Sequence, residues 1–330
     1  MTTFPRLADA RPGRDEPPVE LVVLTAEELL RRDFPPAEAI FEPWLRTKNL
    51  AMIFAPRGVG KTWLSLSIAG AIASGMTVFT EADGRPAWRA TEPRHVLLVD
   101  GEMPAALLQR RFGQLVVGSG FETADRLVFL AADVQEQPLP NLAERAGQED
   151  VEKLLKPDSV LILDSISTLV RGLAENEADG WEPVQEWLLS LRRRGVTVIV
   201  VHHAGRNGNP RGTSKREDVL DVVIALENPE DYDAEDGARF TVIFKKARSI
   251  FGHDVESFEA ELRVEDEAAT WRTRRPAEDQ TKRMVELQRS GLSLRKIAEE
   301  VGVDHSTVSR QLAKERKKEA RRLAGRGKPA

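Results

Sequence analysis

Ala55-Pro56-Arg57-Gly58-Val59-Gly60-Lys61-Thr62 is the stretch that decides how this chain folds. It follows the apolar run Leu50-Ala-Met-Ile-Phe54 and precedes Trp63-Leu-Ser-Leu-Ser-Ile-Ala-Gly-Ala-Ile-Ala73. The first run reads as a buried strand from Leu50 to Ala55, the second as a helix from Lys61 to Ala73. Between them the chain matches G-x-x-x-x-G-K-[ST], with Ala55 in place of the first glycine. Gly58 and Gly60 let successive amides turn inward, and the helix start adds the positive end of its dipole. Such a loop cradles phosphate. Residues Pro56, Arg57, Gly58, Val59, Gly60, Lys61, Thr62 and Trp63 are therefore the candidate nucleotide-binding loop. Lys61 would reach the β- and γ-phosphates of ATP, and the Thr62 hydroxyl would ligate Mg²⁺.

Outward from the loop, apolar runs alternate with longer mixed segments. Strands are expected at Val96–Val99, Leu127–Ala131, Val160–Leu163, Val196–Val201, Val222–Leu226 and Phe240–Phe244, with helices through Met103–Phe112 and Trp181–Arg194. Uniformly apolar strands separated by helices imply an α/β fold with a mostly parallel sheet covered on both faces. The last two strands, divided by an acidic loop, read as an antiparallel pair. Thr25 and Glu28 have the spacing of a capping box on a short helix. Residues 1–19, rich in Pro and charge, read as a flexible arm, and residues 264–280, charged and containing Pro276, read as a linker.

Three strand ends carry further chemistry. Leu161-Ile-Leu-Asp164 ends an apolar strand in a carboxylate that can act on Mg²⁺ through water. Val96–Val99 runs into Asp100-Gly-Glu102-Met103, where Glu102 is the candidate base for the attacking water and Asp100 the fallback. Either could instead cap the helix that begins near Pro104. The fifth strand ends in His202-His203. No nearby Cys, His or carboxylate cluster completes a metal site around that pair, and the reading favoured is that one imidazole senses the γ-phosphate. The Gly205–Ser214 loop that follows, with Gly, Asn, Pro and Arg, would receive the signal.

In order and spacing, the loop, Gly101-Glu-Met103, Leu163-Asp-Ser165, His202-His-Ala204 and Arg211-Gly-Thr-Ser214 resemble the RepA-type hexameric helicases. These are AAA-type plasmid and phage replication ATPases of the RecA/DnaB-like group. The resemblance spans about residues 20–262, including the leader from Leu24 to Leu45. It implies a RecA-like P-loop fold, Lys61 and Thr62 on the nucleotide, Glu102 as catalytic base, Asp164 for magnesium and a coupling His. It also implies a ring in which each neighbour completes an ATP site. Lys246-Ala-Arg248 resembles the element such rings insert in trans, with Arg248 as the candidate finger and Lys246 and Arg211 as rivals. A plain basic hairpin edge is the competing reading.

Toward the C-terminus, Lys282–Gln288 reads as a first helix. Ser293 caps Leu294–Val301, Gly302-Val303 turns, and Asp304 caps a third helix carrying Val308 and Leu312. This is the spacing of a helix-turn-helix, expected over residues 281–314 as a small all-α domain after an ATPase domain at 20–263. His305, Ser306, Thr307, Ser309 and Arg310 would face DNA bases. A basic tail, 315–330, would contact phosphate. Charge agrees: the chain carries −5 overall, yet residues 281–330 hold 14 Lys or Arg against 6 Asp or Glu, which leaves −13 on the first 280.

With 41% hydrophobic and 31% charged residues the chain can build a core and a solvated surface. It contains no cysteine, which excludes a disulfide framework, a thiolate zinc site and a thiol nucleophile. No signal core is visible in 1–19, and no run approaches the ~18 apolar residues of a membrane span. The expectation is a cytoplasmic ATPase that binds ATP, Mg²⁺ and single-stranded or duplex DNA, without a membrane partner. Two functions fit: a ring motor in replication, or an ATP-switched DNA-binding regulator or loader. A nucleotide-dependent assembly protein without a nucleic-acid role fits less well, because of the basic C-terminal module.

Overall fold

The computed structural model describes residues 21–80, 87–172, 181–205, 217–229 and 231–325. The chain divides into two compact units at Pro36 and Ala37. The first contains α1 (Ala26–Arg31), started by the expected capping box: Thr25 Oγ1 accepts the Glu28 amide, and Glu28 reaches back to the Thr25 amide at 2.8 Å. The arm expected at 1–19 lies outside the described residues.

The second unit is built on a nine-stranded sheet in the order β13-β12-β11-β10-β3-β9-β8-β6-β7. Its strands are β3 (Leu50–Ala55), β6 (Val96–Asp100), β7 (Leu127–Ala131), β8 (Val160–Asp164), β9 (Thr197–His203), β10 (Val222–Glu227), β11 (Arg239–Ala247), β12 (Phe258–Glu265) and β13 (Ala268–Arg274). β10, β3, β9, β8, β6 and β7 run parallel. β11, β12 and β13 complete it antiparallel. The α/β fold with a mostly parallel sheet is thus as the sequence implies.

Both faces of the sheet are covered, and β3 shows why its sequence is apolar throughout. Ala51, Ile53 and Ala55 enter one core with α2 (Lys61–Ser74) and α3 (Ala105–Ser119). Leu50, Met52 and Phe54 enter the other with α4 (Arg145–Glu152), α5 (Ile166–Leu169) and α6 (Glu182–Arg193). Alternation along a strand sends neighbours to opposite faces, and with both faces dry every position must be apolar.

Two regions differ from the sequence reading. The expected linker 264–280 is in large part a hairpin: β12 and β13 pair from Glu259↔Arg274 to Glu265↔Ala268. Its two-residue turn, Asp266-Glu267, has both φ positive, at 47° and 66°. The carboxylates and Pro276 masked a strand pair whose Ala260, Leu262 and Ala269 are buried. The second difference is a small antiparallel sheet, β2-β1-β5-β4. It comprises β1 (Ala39–Glu42), β2 (Leu45–Arg46), β4 (Thr77–Phe79) and β5 (Trp88–Ala90), each too short to signal itself. Its Phe41, Trp44, Phe79 and Trp88 join Phe258 and Trp271 in an aromatic cluster of edge-to-face and tilted ring pairs.

At the C-terminus, α7 (Ala277–Arg289), α8 (Leu294–Val301) and α9 (His305–Gly325) pack around Met284, Ile297, Val308 and Leu312. Ser293 caps α8, and Gly302 turns at φ 71° as expected. α7 starts earlier than predicted, inside the presumed linker. α9 runs on to Gly325, so most of the stretch read as a basic tail continues the third helix.

Two glycines of α3 give a paired test. A Cβ on Gly118 would stand 2.0 Å from the Ala269 carbonyl oxygen, whereas one on Gly113 meets nothing within 4 Å. Gly118→Ala is expected to destabilise by about 1–3 kcal/mol through overpacking. Gly113→Ala should stabilise by about 0.5–1 kcal/mol through helix propensity. Denaturant unfolding of both variants measures the opposite signs.

Candidate active site

The loop after β3 has the conformation its glycines permit. Gly58 and Gly60 have φ of 82° and 116°. A Cβ at Gly60 would also meet Ala238 at 2.9 Å and the Phe240 ring at 3.2 Å, so glycine is required there twice over. Ala55 is absent from the residues of positive φ, and the methyl group that departs from the motif is accommodated inside β3. α2 begins without a side-chain cap, leaving its first-turn amides to an anion. Lys61, 7% exposed, donates from Nζ to the carbonyls of Ala55 at 3.1 Å and Pro56 at 2.8 Å. Burial lowers the pKa of its ammonium, and the charges of Asp164 and Glu102 resist that.

Parallel register carries the other groups to the same rim. His203 pairs with Ala55 across β9 and β3, and Asp164 pairs with Asp100 across β8 and β6. Asp164 is 5% exposed, and its Oδ2 accepts Ser65 Oγ at 2.7 Å. Burial pushes its pKa up to about 6, opposed by the Ser65 bond and assisted by Asp100 and Glu102. Asp100 accepts the amides of Met103 at 2.7 Å and Glu102 at 3.2 Å. It shapes the turn that presents Glu102. Glu102 Oε1 accepts Ser165 Oγ at 2.5 Å and faces His203 Nε2 at 3.1 Å. The His203 bond, with further help from Ser165 and the charges of His203 and Lys61, holds Glu102 at about 2 against desolvation, so it is a carboxylate at neutral pH. His202 points elsewhere, its Nδ1 standing 3.2 Å from Ser167 Oγ.

The residues present suit a magnesium nucleotide. Asp164 is a buried carboxylate bonded to a neutral hydroxyl, a setting that favours an arriving cation. Thr62 lies on the first turn of α2, three residues before Ser65, on the same helix side. Among the described residues no cluster of three or more His, Asp or Glu offers a protein-only metal site. Thr62 and Asp164 are the side chains that would hold the cation beside a bound nucleotide.

Lys61, Asp164, Glu102 and His203 thus converge. Arg248 and Lys246 do not join them. Lys246 lies near the end of β11 and Arg248 just past it, where Ala247 pairs with Val222 and Val222 with Ala51, at the opposite end of the sheet. Arg248 bonds the Asp218 carbonyl at 2.8 Å and approaches Asp221 at 3.5 Å. The six residues of β3 span about 20 Å, so Arg248 cannot serve its own chain's loop. Arg211 lies outside the described residues. Of the candidate DNA-facing side chains, Ser306 and Thr307 are held by the Asp304 carboxylate, while His305, Ser309 and Arg310 are exposed at the start of α9. Ser65 and Ser167 escaped the sequence reading, and Ser165 entered it only as part of the Leu163-Asp-Ser165 motif, because a hydroxyl leaves no periodic signal. Arg111, whose guanidinium lies 5.1 Å above the Trp63 ring and 3.5 Å from Met103 Sδ, escaped as one charge among many on α3.

A comparison with family profiles matches residues 15–209 to one described as an AAA domain, more than half of the chain. The chain belongs to the AAA domain family, a family of P-loop ATPases. No curated protein matches it. Among solved structures, a KaiC-like protein, PH0186, from Pyrococcus horikoshii OT3 is similar at 18% identity and a TM-score of 0.44. The match covers 71% of this chain and 93% of that one. Among the described residues no helix of this AAA domain protein is long and apolar enough to cross a membrane.

The raised carboxyl of Asp164 makes a signed prediction. Its folded pKa of about 6 exceeds the ordinary 3.8, so the nucleotide-free fold is favoured while the group is protonated and loses stability as pH rises through both values. Above that window the penalty is about 3 kcal/mol. Asp164→Asn should therefore unfold at higher denaturant than wild type near pH 7.5, with the advantage shrinking toward pH 4. Equal stability near pH 7.5 would contradict the assignment.

Proposed function

We propose that this AAA domain protein is an ATP-hydrolysing, DNA-associated motor of RecA-like architecture, a ring helicase of the RepA kind acting in replication of a plasmid, phage or mobile element. The observation that carries the reading is the meeting of Lys61, His203, Asp164 and Glu102 at the carboxyl ends of four adjacent strands, β3, β9, β8 and β6. That rim is where open α/β sheets bind ligands.

In this reading the loop amides and Lys61 hold the phosphates, with Thr62 and Asp164 holding magnesium. Magnesium, when bound, draws charge from the β- and γ-phosphate oxygens. Glu102 orients the attacking water and takes its proton, and His203, touching both the base and the strand beside the loop, reports the γ-phosphate. Arg248, out of reach of its own chain's loop, suits a neighbour's site and so favours a ring. The packing of α7, α8 and α9, with His305, Ser309 and Arg310 exposed at the head of α9, supports the helix-turn-helix reading and duplex binding.

That same C-terminal unit favours a second reading, an ATP-switched regulator or loader, since duplex recognition serves promoters and origins alike. Turnover decides between them. For a motor, single-stranded DNA raises ATP hydrolysis, a forked duplex is displaced, and Lys61→Ala abolishes both. Stimulation by one duplex sequence alone, without strand displacement, selects the regulator. Glu102→Gln should retain magnesium-nucleotide binding by calorimetry while losing about 100-fold or more in turnover. A fully active Glu102→Gln would remove the base assignment. Arg310→Ala should weaken duplex binding about ten-fold without altering turnover in the absence of DNA.

A further inference from the structure

Ser165 belongs neither to the phosphate loop nor to the magnesium ligands nor to the base, yet its setting is specific. It is 1% exposed and directly follows Asp164 at the end of β8. Its carbonyl accepts Thr168 Oγ1 at 2.9 Å and the Thr168 amide at 3.2 Å, which fixes its backbone. Its hydroxyl reaches across to Glu102, a residue from the neighbouring strand's turn, at 2.5 Å.

Both donors to Glu102 choose one oxygen. Ser165 Oγ and His203 Nε2 meet Oε1, and among the described residues Oε2 makes no hydrogen bond. Glu102 is itself 42% exposed at the side chain, so packing alone does not fix its rotamer. A long carboxylate side chain left free samples several orientations, and only some place an oxygen against a water in line with the γ-phosphate.

We infer that Ser165 is a positioning residue for hydrolysis: its hydroxyl, set one residue beyond the magnesium carboxylate, holds one oxygen of Glu102 so that the other accepts the proton of the attacking water. This rests on Glu102 being the base. In the step so arranged, the water oxygen bonds to the γ-phosphorus while the bond from that phosphorus to the β,γ-bridging oxygen breaks. The water proton passes to Oε2. Ser165 gives up no proton.

The charged groups that act on Glu102 in the fold are His203 and Lys61, and Glu102 in turn acts on Asp100 and Asp164. Removing the Ser165 donor leaves these in place and takes away one bond that favours the ionised form. In the full-length protein, Ser165→Ala is therefore expected to lower kcat by about 10- to 100-fold. The dissociation constant for magnesium-ATP should stay within about two-fold of wild type, and the acidic limb of the kcat profile should move to higher pH. Ser165→Thr keeps the hydroxyl and should retain most of the turnover, while Ser165→Val, of equal volume, should behave as Ser165→Ala. This pair holds even if the alanine variant folds poorly.

The inference is overturned if Ser165→Ala turns over within about two-fold of wild type, if Val and Thr variants are equally active, or if kcat and nucleotide affinity fall together. An active Glu102→Gln removes the base and this inference with it. An inactive Glu102→Gln beside an active Ser165→Ala removes this inference alone.

Discussion

Parallel register, which brings like charges together in a dry place, is the constraint on which the rest of the structure depends. Asp100 and Asp164 end neighbouring strands side by side, 2% and 5% exposed. Burial raises the affinity of both carboxylates for a proton, the charge of Asp100 adds to the shift of Asp164, and the charge of Glu102 adds to both. The fold manages this by giving the two groups different duties. Asp100 spends its lone pairs on the amides of a turn, whereas the Asp164 carboxylate, among the described residues, accepts a serine hydroxyl alone. Lys61, almost as buried, supplies the nearby positive charge. Buried carboxylates with shifted proton affinity, gathered beside a buried lysine, are more characteristic of a functional site than of a structural core.

How much of this was legible in the sequence depended on the kind of signal. β3, its loop and α2 were readable because six apolar residues, two glycines and a Lys-Thr pair admit few other arrangements. Asp164 is legible because it directly follows an apolar strand core, and Glu102 because it stands in the short turn after one. The β12–β13 hairpin was misread for a physical reason. Two-residue hairpin turns with both φ positive usually announce themselves by Asn-Gly or Asp-Gly, and here Asp266-Glu267 takes that shape without a glycine. The small sheet around Trp44 and Trp88 was unreadable locally, since its strands of two to four residues are stabilised by aromatic contacts far apart in the chain. The hydroxyls of Ser65 and Ser167 gave no warning at all. Their value lies in the neighbour they meet, and sequence spacing does not disclose that.

The C-terminal helices show the opposite balance. Their core is small, with Met284, Ile297, Ala298, Val308 and Leu312 as its buried members, yet they were the easiest part to anticipate. Ser293, Gly302 and Asp304 each mark an end that local chemistry dictates. What the sequence misplaced was extent, because charge was taken for the end of a helix. Lys, Arg and Glu are good helix formers, and α9 continues through them to a total of 21 residues.

Asp221 gives β3 a mechanical character. Its Oδ2 accepts the Leu50 amide at 2.9 Å and also binds Arg192, while its Oδ1 faces Arg248. The strand that leads to Lys61 at one end is thus tied at its other end, through Asp221, to Arg192 and Arg248. Flanked by β9 and β10 and packed on both faces, such a strand has little slack to absorb displacement. It is built as a strut, tying the phosphate loop to the Asp221 cluster at the opposite end of the sheet.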